Sequence, residues 1–329
     1  MKQERITELE AAIAADYNNI AGMVVLKNGE TVYESYFGGC IKESCFHIFS
    51  ATKSIVSILF GIALDKGYLD SIDRKVLEFY PEYTVKRGEK TIQHITIRDL
   101  LTMTAPYKYK SNPYTKYFTS PDWVRFSLDL LGGKEQIGTF RYAPMIGPDI
   151  LTGILANVTG QQVLDFARVN LFAPLGICVE QNITFHTKAE LLAFYKASDI
   201  SAWAADPNGV NTGGWGLTLS PMDMAKIGAL VLNGGVWNEK HVVSEKWIRE
   251  STSEQSRWTE RNLPYGYLWW VLEREHGCAA IGDGGNIIYI NPDRNMVVAI
   301  ASRFQPRVKD RIELIREYIE PAFYEENVK

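Results

Sequence analysis

Phe46-His47-Ile48-Phe49-Ser50-Ala51-Thr52-Lys53-Ser54 runs straight into Ile55-Val56-Ser57-Ile58-Leu59-Phe60-Gly61-Ile62-Ala63-Leu64, a strand-like segment giving way to an apolar helix. The helix is expected to stop around Asp65-Lys66-Gly67, where glycine can take the left-handed cap conformation. Ser50 therefore falls at a helix N-terminus. Ser50-Ala51-Thr52-Lys53 is the only S-x-x-K in the chain, and on a helix a three-residue offset puts hydroxyl and amine on one face. A neutral amine there can take the serine proton. That requires a desolvated lysine, because an exposed ammonium with a pKa of about 10.4 is no base at neutral pH. The free N–H groups of the helix start favour negative charge, so the Ser50 amide can donate to an oxyanion.

Upstream, Ile6 to Tyr17 has helical periodicity. Ala21-Gly22-Met23-Val24-Val25-Leu26 and Thr31-Val32-Tyr33-Glu34-Ser35-Tyr36 read as a hairpin closed by Asn28-Gly29. Downstream, from Leu69 to Ala205, the pattern changes to short amphipathic helices: Ile97 to Met103, Asp122 to Leu131, Ile150 to Val158 and Gln162 to Leu171. The last third returns to strands at Tyr267 to Val271, Asn286 to Ile290 and Met296 to Ala301, and ends in an amphipathic helix from Lys309 to Tyr324. The expected fold class is α/β (α+β): an antiparallel sheet flanked by N- and C-terminal helices, with an inserted all-helical lobe. Residues 1–68 and 206–329 would form the discontinuous α/β lobe and residues 69–205 the helical insertion.

A chain of 329 residues with 46% apolar and 22% charged residues can bury a large core. A net charge of −4, with no basic stripe, gives nothing to attract phosphates, so nucleic acid is not an expected partner. The apolar run Ile55 to Leu64 is too short to span a bilayer, and acidic residues follow Met1 where a secretory signal needs an apolar run, so a cytoplasmic protein is expected. Cys40, Cys45, Cys178 and Cys278 show no zinc-type spacing and are expected to be buried thiols, without metal or cofactor. Asp70-Ser71-Ile72-Asp73 begins like a calcium loop but lacks the later Gly and Glu, which favours helix capping. Of the five histidines only His47 lies near Ser50. The aromatics Tyr107, Tyr109, Tyr114, Tyr117 and Phe118 are expected at the surface, lining a cleft or forming an interface.

A lone S-x-x-K is a weak signal, so context carries it. Phe46 to Ser54 resembles the nucleophile segment of the serine β-lactamase and penicillin-binding protein family, nearest its class C and esterase branch. The resemblance extends through Ile95 to Thr104, Leu171 to Ile177, Gly213-Gly214-Trp215-Gly216-Leu217, Asp223 to Gly228, Asn233 to Trp237 and Tyr265 to Trp270, in the family's order. It implies an α/β lobe, an inserted helical lobe and a site in the cleft between them. It also implies a serine hydrolase that forms an acyl-enzyme on Ser50 with Lys53 as base.

The family's second motif, a tyrosine followed two positions on by Asn or Ser, matches Tyr142, but Pro144 stands where the amide or hydroxyl belongs. The resemblance makes Tyr142 a proton relay; the lesser alternative is a packed aromatic of the helical lobe. The third motif, K-T-G or H-T-G, aligns with Ala280-Ile281-Gly282. There Gly282 would let the strand approach the substrate, and the Asp283 amide would complete an oxyanion hole with that of Ser50. Gly282-Asp283-Gly284-Gly285-Asn286 is closer to the G-x-x-G-Q of the 6-aminohexanoate-oligomer hydrolase and esterase branch. The expected substrate is a small ester, amide or β-lactam. The losses at Pro144 and Ala280 favour esters, and they also motivate the alternative of a catalytically silent binding or sensor protein. No G-x-S-x-G elbow occurs, and no oligomeric state is implied.

Overall fold

Asn28 and Gly29 take left-handed φ of 52° and 81°, the pairing a tight hairpin turn requires, and fold β1 (Ile20–Lys27) back on β2 (Glu30–Tyr36). The structure, a computed structural model describing residues 2–323, builds one eight-stranded sheet on this hairpin. Its other strands all come from the last third of the chain: β3 (Ser256–Trp258), β4 (Leu263–Tyr265), β5 (Trp270–Leu272), β6 (Gly277–Gly282), β7 (Asn286–Asn291) and β8 (Met296–Ser302). The order is β2-β1-β8-β7-β6-β5-β4-β3, antiparallel throughout, with β1 laid on β8 so that Val24 faces Ala299.

Strand period two divides the side chains between two apolar layers. Met23, Val25, Tyr289, Val298 and Ile300 pack with Leu9 and Ile13 of α1 (Lys2–Asp16) and with Leu314, Ile315 and Ile319 near the C-terminus. Val24, Ile288, Ile290, Val297 and Ala299 face the main core. Since both faces are covered, β7 and β8 are buried at every position, which explains their unbroken apolar runs. Residues 311–323 are helical with a π turn at Ile315–Ile319; Tyr324, the expected helix end, lies outside the described residues.

The main core is centred on α2 (Thr52–Asp65), which is buried from Thr52 through Ala63. A helix apolar on all sides has to be surrounded. The segment between 69 and 205 supplies much of that surrounding through Ile97–Leu101, α3 (Tyr114–Phe118), α4 (Trp123–Leu130), α5 (Ile146–Thr159) and α6 (Lys188–Lys196). Its regular structure is chiefly helical but not all-helical as expected: it also carries two short parallel strands, Gln181–Ile183 and Ala202–Ala204. A further helix, α7 (Pro221–Leu232), lies on β1, β7 and β8. No helix among the described residues is long and apolar enough to cross a membrane.

Several local expectations are corrected. The strand expected at Tyr267 to Val271 exists only as Trp270–Leu272. Leu268 takes φ 62°, and the Tyr267 and Leu268 amides donate to Ser251 and Leu101 carbonyls instead of to a neighbouring strand. An apolar run without alternation does not by itself distinguish strand from buried loop. Tyr107 and Tyr117 are buried, not exposed. Cys178 is exposed and Cys40 and Cys45 half-buried; all four thiols are free. Asp70 to Asp73 caps no helix: the Asp73 amide donates to Ser71 Oγ, and the two carboxylates pair with Arg74 and Arg98.

The seating of α2 is tight at Gly61, where a Cβ would be driven into the Trp247 indole, itself fixed by donating to the Ser57 carbonyl at 2.9 Å. Helix propensity would reward Gly61→Ala by about 1 kcal/mol, while overpacking a rigid indole costs about 1–3 kcal/mol. The clash should win: urea unfolding should show Gly61→Ala less stable than wild type, not more.

Candidate active site

The chain enters α2 through a 3-10 turn, Phe49–Ala51, and Phe49 takes the left-handed φ of 48°. That conformation is uncommon for a bulky residue and is held by surrounding structure. The Phe49 ring lies 4.0 Å from His47, 5.2 Å from Tyr195 and 5.1 Å from Phe304, centroid to centroid. The strain carries the next residue, Ser50, half-buried, onto the floor of a cavity of about 600 Å³.

Lys53 is 1% exposed, and its Nζ lies 2.9 Å from Ser50 Oγ and donates to the Gly214 carbonyl at 2.9 Å. Burial pushes the amine down to about 7, with Asp283 and then Asp149 pulling the other way. An amine with that pKa is substantially neutral at physiological pH and able to accept a proton. The hydroxyl and amine that the S-x-x-K spacing placed on one helix face are thus together, the amine buried and the hydroxyl half-buried at the cavity.

The Gly214 carbonyl is itself held. A Cβ on Gly213 would be driven into the Pro148 carbonyl and one on Gly214 into that of Pro144, so only glycine lets this segment lie flat on the start of α5. The Gly213 amide donates to Asp149 Oδ1 at 2.8 Å, and Tyr117 OH donates to the other oxygen. Burial raises Asp149 to about 7, opposed by those two hydrogen bonds. Sequence reasoning missed Asp149; the available signal was one carboxylate inside the apolar segment Ile146 to Leu155.

Tyr142 is brought to the same place. Its ring centroid is 5.0 Å from Lys53 Nζ, and the ring stacks on Trp270 at 5.8 Å. Burial raises the phenol well above its ordinary value, and a hydrogen bond with Ser50 works against that rise. Pro144 lines the cavity two residues on. Opposite, Gly282 ends β6 against the turn before α2: a Cβ there would be driven into the Ile48 carbonyl. The missing side chain at Gly282 thus lets β6 close on the protein's own backbone at Ile48. Asp283 follows on the cavity rim. Its carbonyl accepts from Asn286 Nδ2 at 2.7 Å, while Asn19 Nδ2 donates to the Gly284 carbonyl at 2.7 Å. Gly284 and Gly285 both need positive φ, 77° and 88°. Ala280 is fully buried in the core.

His47 has no place at the cavity. It is buried, lowered to about 3 by desolvation, and its Nε2 accepts from the Gly216 amide at 2.8 Å. It is a neutral brace for the glycine segment. Among the described residues no group of three or more His, Cys, Asp or Glu could hold a metal ion.

The buried amine has a signature in stability. Between the folded pKa of about 7 and the ordinary lysine value near 10.5, the unfolded chain holds a proton at residue 53 that the folded chain has lost. Folding stability therefore rises with pH across that window. Measured by urea unfolding, wild type should gain on Lys53→Met from pH 7 to pH 10, and the difference should be flat from pH 5 to 6.

Comparison with known proteins agrees with this architecture. The beta-lactamase family matches residues 9–322. A 6-aminohexanoate-dimer hydrolase of Paenarthrobacter ureafaciens is 23% identical over 297 residues, covering 84% of this chain and 70% of that protein. Among solved structures, a penicillin-binding protein homolog from Caulobacter crescentus superposes with TM-score 0.73 at 17% identity, over 98% of both chains. A family VIII carboxylesterase does so with TM-score 0.71 at 15% identity, over 96% of this chain and 97% of that one. With all but the ends of the sequence matched, this chain belongs to the beta-lactamase family and is a serine hydrolase.

Proposed function

We propose that Ser50 is the nucleophile of an ester or amide hydrolase that works through an acyl-enzyme. Neutral Lys53 takes the Ser50 proton as Oγ bonds to the substrate carbonyl carbon, and the carbonyl electron pair moves onto oxygen. The amides of Ser50 and Asp283 donate to that oxyanion. When the tetrahedral centre collapses, the bond to the leaving alcohol or amine breaks, and Tyr142 passes the proton on from Lys53. Water attacks the acyl-enzyme, giving its proton back along the same route. The carboxylic acid leaves, and Ser50 regains its hydrogen.

One observation carries this: an amine 1% exposed, lowered to about 7 and 2.9 Å from the hydroxyl it would deprotonate. Within the class, esters are favoured over β-lactams and D-Ala-D-Ala peptides. Pro144 offers no side-chain amide to a substrate carbonyl, and at Ala280 no cation is available for a substrate carboxylate.

Ser50→Ala should abolish fluorophosphonate labelling and hydrolysis of a p-nitrophenyl ester, and the ester should turn over faster than nitrocefin or a D-Ala-D-Ala peptide. Unchanged labelling in Ser50→Ala would remove the serine from the mechanism, and a silent binding protein would show no labelling in wild type either. Tyr142→Phe should lower kcat by about 10²–10⁴. Because the neutral amine is the active form, kcat/KM should climb about tenfold per pH unit below pH 7 and level off above it; a profile flat from pH 5 to 9 excludes Lys53 as the base.

A further inference from the structure

Seven large apolar side chains are exposed among the described residues, and three of them, Tyr114 (49%), Leu192 (44%) and Phe304 (42%), line the one cavity that holds Ser50. They arrive from separate parts of the chain: α3, α6 and the loop after β8. Scattered exposed apolar residues need no explanation, but a cluster around the mouth of a pocket marks a surface meant to be covered.

The wall is continuous from that rim to the nucleophile. Phe304 lies 5.1 Å from Phe49, the neighbour of Ser50, and 6.2 Å from Tyr195. Deeper in, Trp215 stacks on Phe185 at 6.2 Å and meets the edge of Phe118 at 5.5 Å. Lys188 and Asp283, the charged side chains on this cavity, and His186 are all exposed at its edge. An acetyl group would touch almost none of this lining and would leave it wet.

We infer that the substrate carries an extended apolar group, an alkyl chain of about six to ten carbons or an aryl group, running from the scissile carbonyl at Ser50 out to Tyr114, Leu192 and Phe304. The inference rests on the hydrolase mechanism above and names the class of ester that the site selects. The apolar group belongs to one side of the scissile bond, acyl or alcohol, and two substrate series tell which.

The test uses p-nitrophenyl esters from acetate to octanoate, and acetate esters from methanol to octanol, all below the concentrations at which they form micelles. In one series kcat/KM should rise by about fourfold per methylene, through at least the first four. In that series, Leu192→Asp and Phe304→Asp should each lower the six-carbon to shortest-member ratio at least fivefold. Val169→Asp, at an exposed position away from the cavity, should leave the ratio unchanged. If rates are flat or falling in both series while Ser50→Ala still abolishes acetate hydrolysis, the hydrolase stands and the apolar substrate falls. A rise that sets in only above the micelle-forming concentration also overturns it, because the rim would then be meeting an aggregate surface. If no ester is hydrolysed beyond the Ser50→Ala background, both fall.

Discussion

An amine stripped of water at Lys53 is the constraint around which the rest is arranged. A lone ammonium cannot be buried at tolerable cost, so the group gives up its proton near neutrality. Keeping it dry requires α2 to be enclosed on every side, and the chain does this with the sheet on one flank and the helices of residues 69–205 on the other. Keeping it in place requires fixed acceptors. Ser50 Oγ is one; the Gly214 carbonyl is the other, and it belongs to a segment more than 150 residues away.

That long-range contact explains otherwise odd features of the interior. Gly213 and Gly214 lie flat on Pro144 and Pro148, Asp149 reaches back to the Gly213 amide, Tyr117 holds Asp149, and His47 accepts from Gly216. Each is a polar group deep in the core with a backbone or side-chain partner in the same network, although His47 Nδ1, buried on the far side of its ring, finds none among the described residues. On the other side of Ser50, the turn at Asp283 is fixed by Asn286 and Asn19 and pressed against Ile48 by the absence of a side chain at Gly282. The candidate nucleophile thus lies between two glycine-bearing segments whose positions are set by hydrogen bonds remote from it.

What was legible in the sequence follows from this. The Ser50–Lys53 pair was visible because helical spacing is local, and the hairpin was visible because Asn28-Gly29 has few other uses. The resemblance carried Tyr142, Gly282 and Asp283, whereas the fold class followed from the order of strand and helix patterns and the resemblance agreed with it. Asp149 stayed hidden because it acts through a backbone amide and no spacing rule points to it. The three-residue strands Ser256–Trp258 and Leu263–Tyr265 were too short to show alternation. Tyr107 and Tyr117 looked like surface aromatics because their burial depends on helices that meet only in the folded chain.

The departures from the family's motifs and the apolar cavity belong together. A site that recognises an amide or carboxylate must leave polar groups unpaired when the wrong substrate enters, which penalises it heavily; an apolar wall discriminates only modestly per methylene. On the alignment proposed above, proline at 144 and alanine at 280 would give up the strong form of discrimination. What remains is shape and hydrophobic contact along Phe49, Trp215, Tyr195 and Phe304. On the proposed reading, such a wall would sort substrates by size and apolarity, not by a single functional group, and would suit a set of related apolar esters better than one specific β-lactam or peptide.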